Sequence, residues 1–200
     1  MDDATAWYVP VARAIPALAL AAVVTFTADH SAAVGLLTFG TFAVASGAVL
    51  TAFAVRSPAR GVARTLTLAQ GLVTVAAGIA AIALVNGGLP SFVFLLTAWA
   101  AIAGFLELYL GLRGRGRARS SRDWVFAGVL TALLALGVLL VPPGFSQAFT
   151  GPDGVDRALT ASVIVVGALG AYWAILGVYL VIAGLSLKWA PASDGAASGA

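Results

Sequence analysis

Apolar residues along this chain gather into six long runs, at about Pro10–Ala28, Ala32–Val55, Val62–Val85, Pro90–Leu112, Trp124–Val141 and Ala158–Leu187. Each approaches the ~20 consecutive apolar residues that a helix needs to span a bilayer's hydrocarbon core. The pattern predicts an all-α integral membrane protein with six transmembrane helices. Two of the polar breaks are long. Arg113–Arg122 is arginine-rich, and Pro142–Arg157 is rich in glycine, proline and aspartate. Within the second, Gly151-Pro152-Asp153-Gly154 reads as a turn; the alternating acidic ligands of a calcium loop are missing. A single membrane domain therefore occupies residues 1–188. Residues 189–200 are mostly Ala, Gly and Ser and are expected to form a disordered tail.

The runs pair into three hairpins, over about residues 7–56, 62–113 and 123–188, and the hairpins resemble one another. A shift of 57 residues carries the first onto the second without a gap; the third follows by the same shift, with 16 more for the last helix. Under this shift small residues recur seven apart. In the second helices they are Gly40/Gly47/Ala54, Thr97/Gly104/Gly111 and Gly170/Gly177/Gly184. In the first helices they are Ala14/Ala21, Gly71/Gly78 and Gly128/Ala135. An aromatic column, Phe42/Trp99/Tyr172, follows the same register and is expected to pack in the core. Repetition at a fixed period marks an array of one structural unit. Small residues suit a membrane helix because burying apolar side chains against another helix gains no hydrophobic free energy in lipid. Association then depends on close backbone approach, and a spacing of seven keeps the small residues on one seam.

Composition agrees with lipid as the solvent. Hydrophobic residues are 61% of the chain and charged residues 10%, and the mean hydropathy is +1.02, outside the range of soluble domains. There is no cysteine and one histidine, His30, so disulfides, thiolate metal sites and histidine clusters are excluded. The net charge of +3 sits in short runs. Arg56, Arg60 and Arg64 lie between runs two and three, and Arg113, Arg115, Arg117, Arg119 and Arg122 between four and five. The other side carries Asp29, His30, Asn86-Gly87-Gly88, Asp153, Asp156 and Arg157, which read as a solvated rim. By the positive-inside rule both termini are cytoplasmic, and Trp7, Tyr8, Trp124 and Trp189 then fall at the inner interface. A nucleic-acid footprint needs a basic soluble face and is not expected. The apolar run Ala14–Thr27 follows an acidic Met-Asp-Asp where a signal peptide would be basic, so it reads as a retained span. Ten arginines against one lysine suggest GC-rich coding DNA and a bacterial source.

Glu107 is the costliest residue in the chain. Six residues before Arg113, it lies roughly 9 Å below the inner interface by helical rise, where a carboxylate must face the bundle or reach a cation. The repeat shift sets Arg13 level with Gln70, and Glu107, Gln70 and Arg13 form a candidate buried polar cluster between spans one, three and four. Two other readings stay open: Glu107 snorkels toward Arg113, or it belongs to a proton or ion relay. A relay finds no further carboxylate along the spans, only hydroxyls, Trp99, Tyr172 and Trp173. Asp156 is a candidate cap for the last helix, and Asp123 a candidate to stabilise the start of the fifth through its charge. No phosphate loop, Ser/His/Asp set or carboxylate pair is present, so no catalytic residue, metal or cofactor is expected.

The stretch from Trp99-Ala-Ala-Ile-Ala-Gly104 through Glu107 to Gly111-Leu-Arg113 resembles the fourth span of the HdeD-type acid-resistance membrane proteins. Gln70-Gly71 with Gly78-Ile79 is similar to that family's third span, and Ala171-Tyr172 through Gly177 to Leu187-Lys188 to its last. The resemblance covers most of residues 7–188. It departs in the longer Pro142–Arg157 loop and in span one, where Pro16 and alanines replace a glycine-rich pattern. It implies a bacterial inner-membrane protein of repeated hairpins, associated with survival at low pH. The expected function is non-enzymatic, of the acid or envelope-stress type, through packing with itself or a partner. The alternatives are an accessory subunit of a larger membrane complex and a small transporter or channel using Glu107. Expected partners are the lipid bilayer and either further copies of the chain or that larger complex.

Overall fold

The computed structural model describes residues 7–57, 61–116, 121–152 and 154–189. The acidic start, Arg60, Arg117, Arg119, Asp153 and the tail from residue 190 lie outside the described residues. Six helices run antiparallel to their chain neighbours: α1 (Tyr8–Phe26), α2 (Ala32–Arg56), α3 (Val62–Ala83), α4 (Gly88–Arg113), α5 (Ser121–Leu139) and α6 (Ala161–Lys188). All six are long and apolar enough to cross a membrane.

Their ends follow from local chemistry. Ser31 caps α2 by accepting from the Val34 amide, and Asp29 braces that cap, its Oδ1 accepting from the Ser31 amide at 2.8 Å. Arg64 reaches back from α3 to the last turn of α2, its Nε donating to the Ala54 carbonyl at 2.8 Å, which satisfies an acceptor that the helix leaves open. At the α3–α4 turn, Gly88 has φ +69°, a conformation glycine adopts without a Cβ clash.

Two expectations change at the long loop between α5 and α6. The segment expected to be irregular contains an antiparallel hairpin, β1 (Ser146–Thr150) with β2 (Asp156–Thr160), Ser146 opposite Thr160 and Phe149 opposite Arg157. Its turn is closed by the Gly154 amide on the Gly151 carbonyl at 2.9 Å. Because residues 158–160 belong to β2, α6 begins at Ala161, three residues later than its hydropathy suggests. Asp156 is therefore too far from that helix to cap it. Thr160 caps it instead, accepting from the Val163 amide, while Asp156 Oδ1 accepts from Thr150 Oγ1 at 2.8 Å across the hairpin.

The closest helix pairs are α2 with α3, α4 with α5, and α6 with α1. The first helix in the chain thus packs along the last. Each pair meets along the predicted small-residue stripes. A Cβ added to Gly47 would stand 2.8 Å from the Gly71 carbonyl oxygen, and one added to Gly40 2.9 Å from that of Gly78. On the second seam Gly104 faces the Gly128 carbonyl, and Gly111 lies against Val125, whose amide nitrogen would be 2.6 Å from an added Cβ. On the third, Gly170, Gly177 and Gly184 accommodate Val24, Leu18 and Val11. The partners recur in register: Gly47 meets Val75, Gly104 meets Ala132 and Gly177 meets Leu18, and positions 18, 75 and 132 are 57 apart.

Inside these seams the aromatic column converges. Trp99 stands edge-on to Phe42 at 6.1 Å and to Tyr172 at 6.3 Å between ring centroids, and Phe42 packs on Trp173 at 5.2 Å. All four rings are buried, in the arrangement that aromatic quadrupoles favour.

Because the seam at Gly128 is backbone against backbone, with the Leu108 amide 2.6 Å from an added Cβ, relief requires the two helices to separate. Gly128→Ala is expected to destabilise the protein by about 1–3 kcal/mol. Gly137→Ala, nine residues along the same helix with nothing within 4 Å of the new carbon, should leave stability unchanged or slightly raised. Thermal unfolding in detergent compares the two; equal melting points would remove the seam as a source of stability.

Candidate functional site

The charged pair inside the bundle is Arg13 with Glu107. Arg13 sits in the second turn of α1 and Glu107 near the end of α4, both in the third of the bundle nearest the arginine-bearing turns. Arg13 Nη2 lies 3.0 Å from Glu107 Oε1, and the two residues are 8% and 2% exposed. Gln70, from α3, donates its Nε2 hydrogen to the same oxygen at 2.9 Å. The structure thus brings Arg13, Gln70 and Glu107 together and points Glu107 away from Arg113. The Arg113 guanidinium instead donates to the Tyr109 hydroxyl at 3.3 Å.

Three more side chains complete the arrangement. Thr131 on α5 donates to Glu107 Oε2 at 3.1 Å. Tyr172 on α6 lies 3.0 Å from that same Thr131 hydroxyl. A threonine has one hydroxyl proton, and the Ala127 carbonyl at 2.8 Å competes with the carboxylate for it; when Thr131 gives it to the carboxylate, the tyrosine proton must serve Thr131. On the cation's side, Arg13 Nε donates to Ser46 Oγ on α2 at 3.4 Å, and the guanidinium carbon is 5.8 Å from the centre of the Trp124 ring, within cation–π range. Arg13, Ser46, Gln70, Glu107, Thr131 and Tyr172 come one from each of the six helices, in chain order.

Some of these positions fall at the 57-residue offset of the sequence. Thr131 stands 57 residues after Thr74, which accepts from Trp99 Nε1 at 3.2 Å. Each polar aromatic of the column therefore meets a threonine on the neighbouring helix at the same register. The first hairpin carries Phe42 in the column and Ala17 at the threonine position, and neither needs a partner. At the same offsets Glu107 aligns with Leu50 and Leu180, both buried.

Sequence reasoning missed Ser46, Thr131 and Tyr172 as members. Shifting Thr74 by one repeat would have found Thr131, and the aromatic column already marked Tyr172; Ser46 aligns with Ala103 and Leu176 and leaves no such trace. Asp123 lies in the first turn of α5, and its Oδ1 accepts from the Tyr179 hydroxyl at 2.8 Å. Among the described residues no group of three His, Cys, Asp or Glu could hold a metal. Among the described residues four buried polar atoms, Thr51 Oγ1, Gln70 Oε1, Thr97 Oγ1 and Trp173 Nε1, lack a hydrogen-bond partner. The Glu107 carboxylate is thus met by donors from three helices.

Removing one member of a buried pair strands the other charge, which costs about 3–5 kcal/mol, whereas replacing both by apolar residues is far milder. Glu107→Leu and Arg13→Met should each lower stability by an amount in that range, and the double variant should lose less than either alone. A double-mutant cycle on detergent-solubilised protein reads the coupling; additive losses would show that the pair does not interact. Set against protein-family models, curated proteins and solved structures, the chain matches none.

Proposed function

We propose that this chain is a non-enzymatic, multi-pass protein of the bacterial inner membrane, of the acid or envelope-stress type. It is built from three repeated helical hairpins closed into a ring by the α6–α1 seam, with both termini in the cytoplasm. The register-matched seams and the two threonine–aromatic pairs support the repeat. The arginines flanking α2–α3 and α4–α5 support the orientation, and the likeness of α4 to the HdeD signature helix supports the setting.

One observation carries the mechanism: the Glu107 carboxylate is engaged by donors on α1, α3 and α5, inside a cluster drawing on all six helices. Such a group fixes helices in place. In this reading the protein works as a packed body whose outward faces meet lipid, other copies or a larger membrane complex. A conduit would instead need Glu107 to exchange its partners during each cycle.

The deciding experiment is reconstitution. Purified protein in liposomes should carry no proton flux under an imposed pH gradient, while a strain lacking the gene should survive acid shock less well than its parent. Flux that disappears in Glu107→Gln would replace the packing role with transport. Unchanged acid survival would remove the stress setting.

A further inference from the structure

The outward face of α4 ends in a column that the packing role does not use. Phe105, Tyr109 and Arg113 follow one another at four-residue intervals, which places them one above another on a helix. Phe105 is 65% and Tyr109 40% exposed, and their rings stack at 6.3 Å and 25°. The Tyr109 hydroxyl accepts from Arg113 Nη1 at 3.3 Å, which holds the guanidinium at the top of the column. Phe105 to Arg113 spans roughly 12 Å of helix, apolar at one end and cationic at the other.

Two further arginines belong to the same corner. Ser121 Oγ donates to the Gly111 carbonyl at 2.6 Å, which pins the start of α5 against the end of α4. Arg122 follows Ser121 at the start of α5, Arg113 ends α4 and Arg115 lies in the turn after it; all three are exposed. Asp123, next in sequence to Arg122, accepts from the Tyr179 hydroxyl. Among the described residues none of these three arginines has an ion-pair partner. A bare positive corner above an aromatic, lipid-facing column has the polarity of one phospholipid molecule, anionic phosphate at the top and acyl chain below.

We propose that this column is a binding site for a single anionic phospholipid. The phosphodiester sits on Arg113, Arg115 and Arg122, the Tyr109 hydroxyl marks the ester level, and an acyl chain lies along Phe105. This reading is independent of the stress role and of the Glu107 cluster.

The test uses the full chain in neutral detergent, titrated with phosphatidylglycerol or with phosphatidylcholine of the same acyl chains and read by native mass spectrometry. Phosphatidylglycerol should bind the more tightly. Arg113→Gln should weaken it about fivefold, the effect of one basic side chain at an anionic surface, and leave phosphatidylcholine unchanged. Tyr109→Phe keeps the ring but frees the guanidinium, and should also weaken phosphatidylglycerol alone. Arg56→Gln, the same charge change at the same end on α2, should have no effect. Thermal unfolding checks that each variant is folded. Equal binding of the two lipids, an unaffected Arg113→Gln, an unaffected Tyr109→Phe, or a loss in Arg56→Gln as large as in Arg113→Gln would each overturn the site; the last would reduce it to diffuse attraction.

Discussion

Two opposite charges held among apolar helices set the terms for everything around them. Taking an arginine and a carboxylate out of water costs several kcal/mol for each ion, and their attraction offsets this only where the geometry is good and the remaining donors and acceptors are filled. Arg13 and Glu107 meet that condition by recruiting Ser46, Gln70, Thr131 and Tyr172. Each recruited side chain comes from a different helix, so satisfying one carboxylate fixes the relative rotation of all six. Side chains in a hydrocarbon solvent have weak reasons to choose a rotation otherwise.

That arrangement is reachable only because the helices are close. Thr131 is short, and it reaches Glu107 across the α4–α5 seam because Gly104 and Gly128 let those backbones touch. The seams and the polar layer are therefore two halves of one solution: small residues bring the helices together and polar ones set their register. The aromatic trio of Phe42, Trp99 and Tyr172 packs ring against ring in the buried core. Where a ring carries a hydrogen-bonding group, a threonine follows on the adjacent helix. Where it does not, alanine suffices.

Much of this could be read from the chain alone, because hydropathy and small-residue spacing are one-dimensional signals of a one-dimensional constraint. The six runs locate the helices to within a few residues, and the cost of Glu107 points to Arg13 and Gln70 once the repeat levels them. What escaped was whatever depends on pairing across the fold. Nothing in a stripe of glycines says which other stripe it meets, and the register alone does not place α6 against α1. The β1–β2 hairpin escaped because its strands show no burial alternation; β1 is exposed along its whole length, so hydropathy carries no period to detect. Asp156 was misplaced for the same reason, since a strand occupies the residues that hydropathy assigned to the helix.

The pairing of the first helix with the last has a consequence for how the protein is made. Arg13 is synthesised 94 residues before Glu107, a delay of roughly 5–20 s at ribosomal speeds of about 5–20 residues per second. Throughout that interval the nascent chain holds a cation near one end of its first span without the carboxylate that will neutralise it. Thr131 and Tyr172 emerge later still, and the groove of α6 that receives α1 emerges with Tyr172. The α1 helix therefore waits, unattached along one side, until α6 has been made.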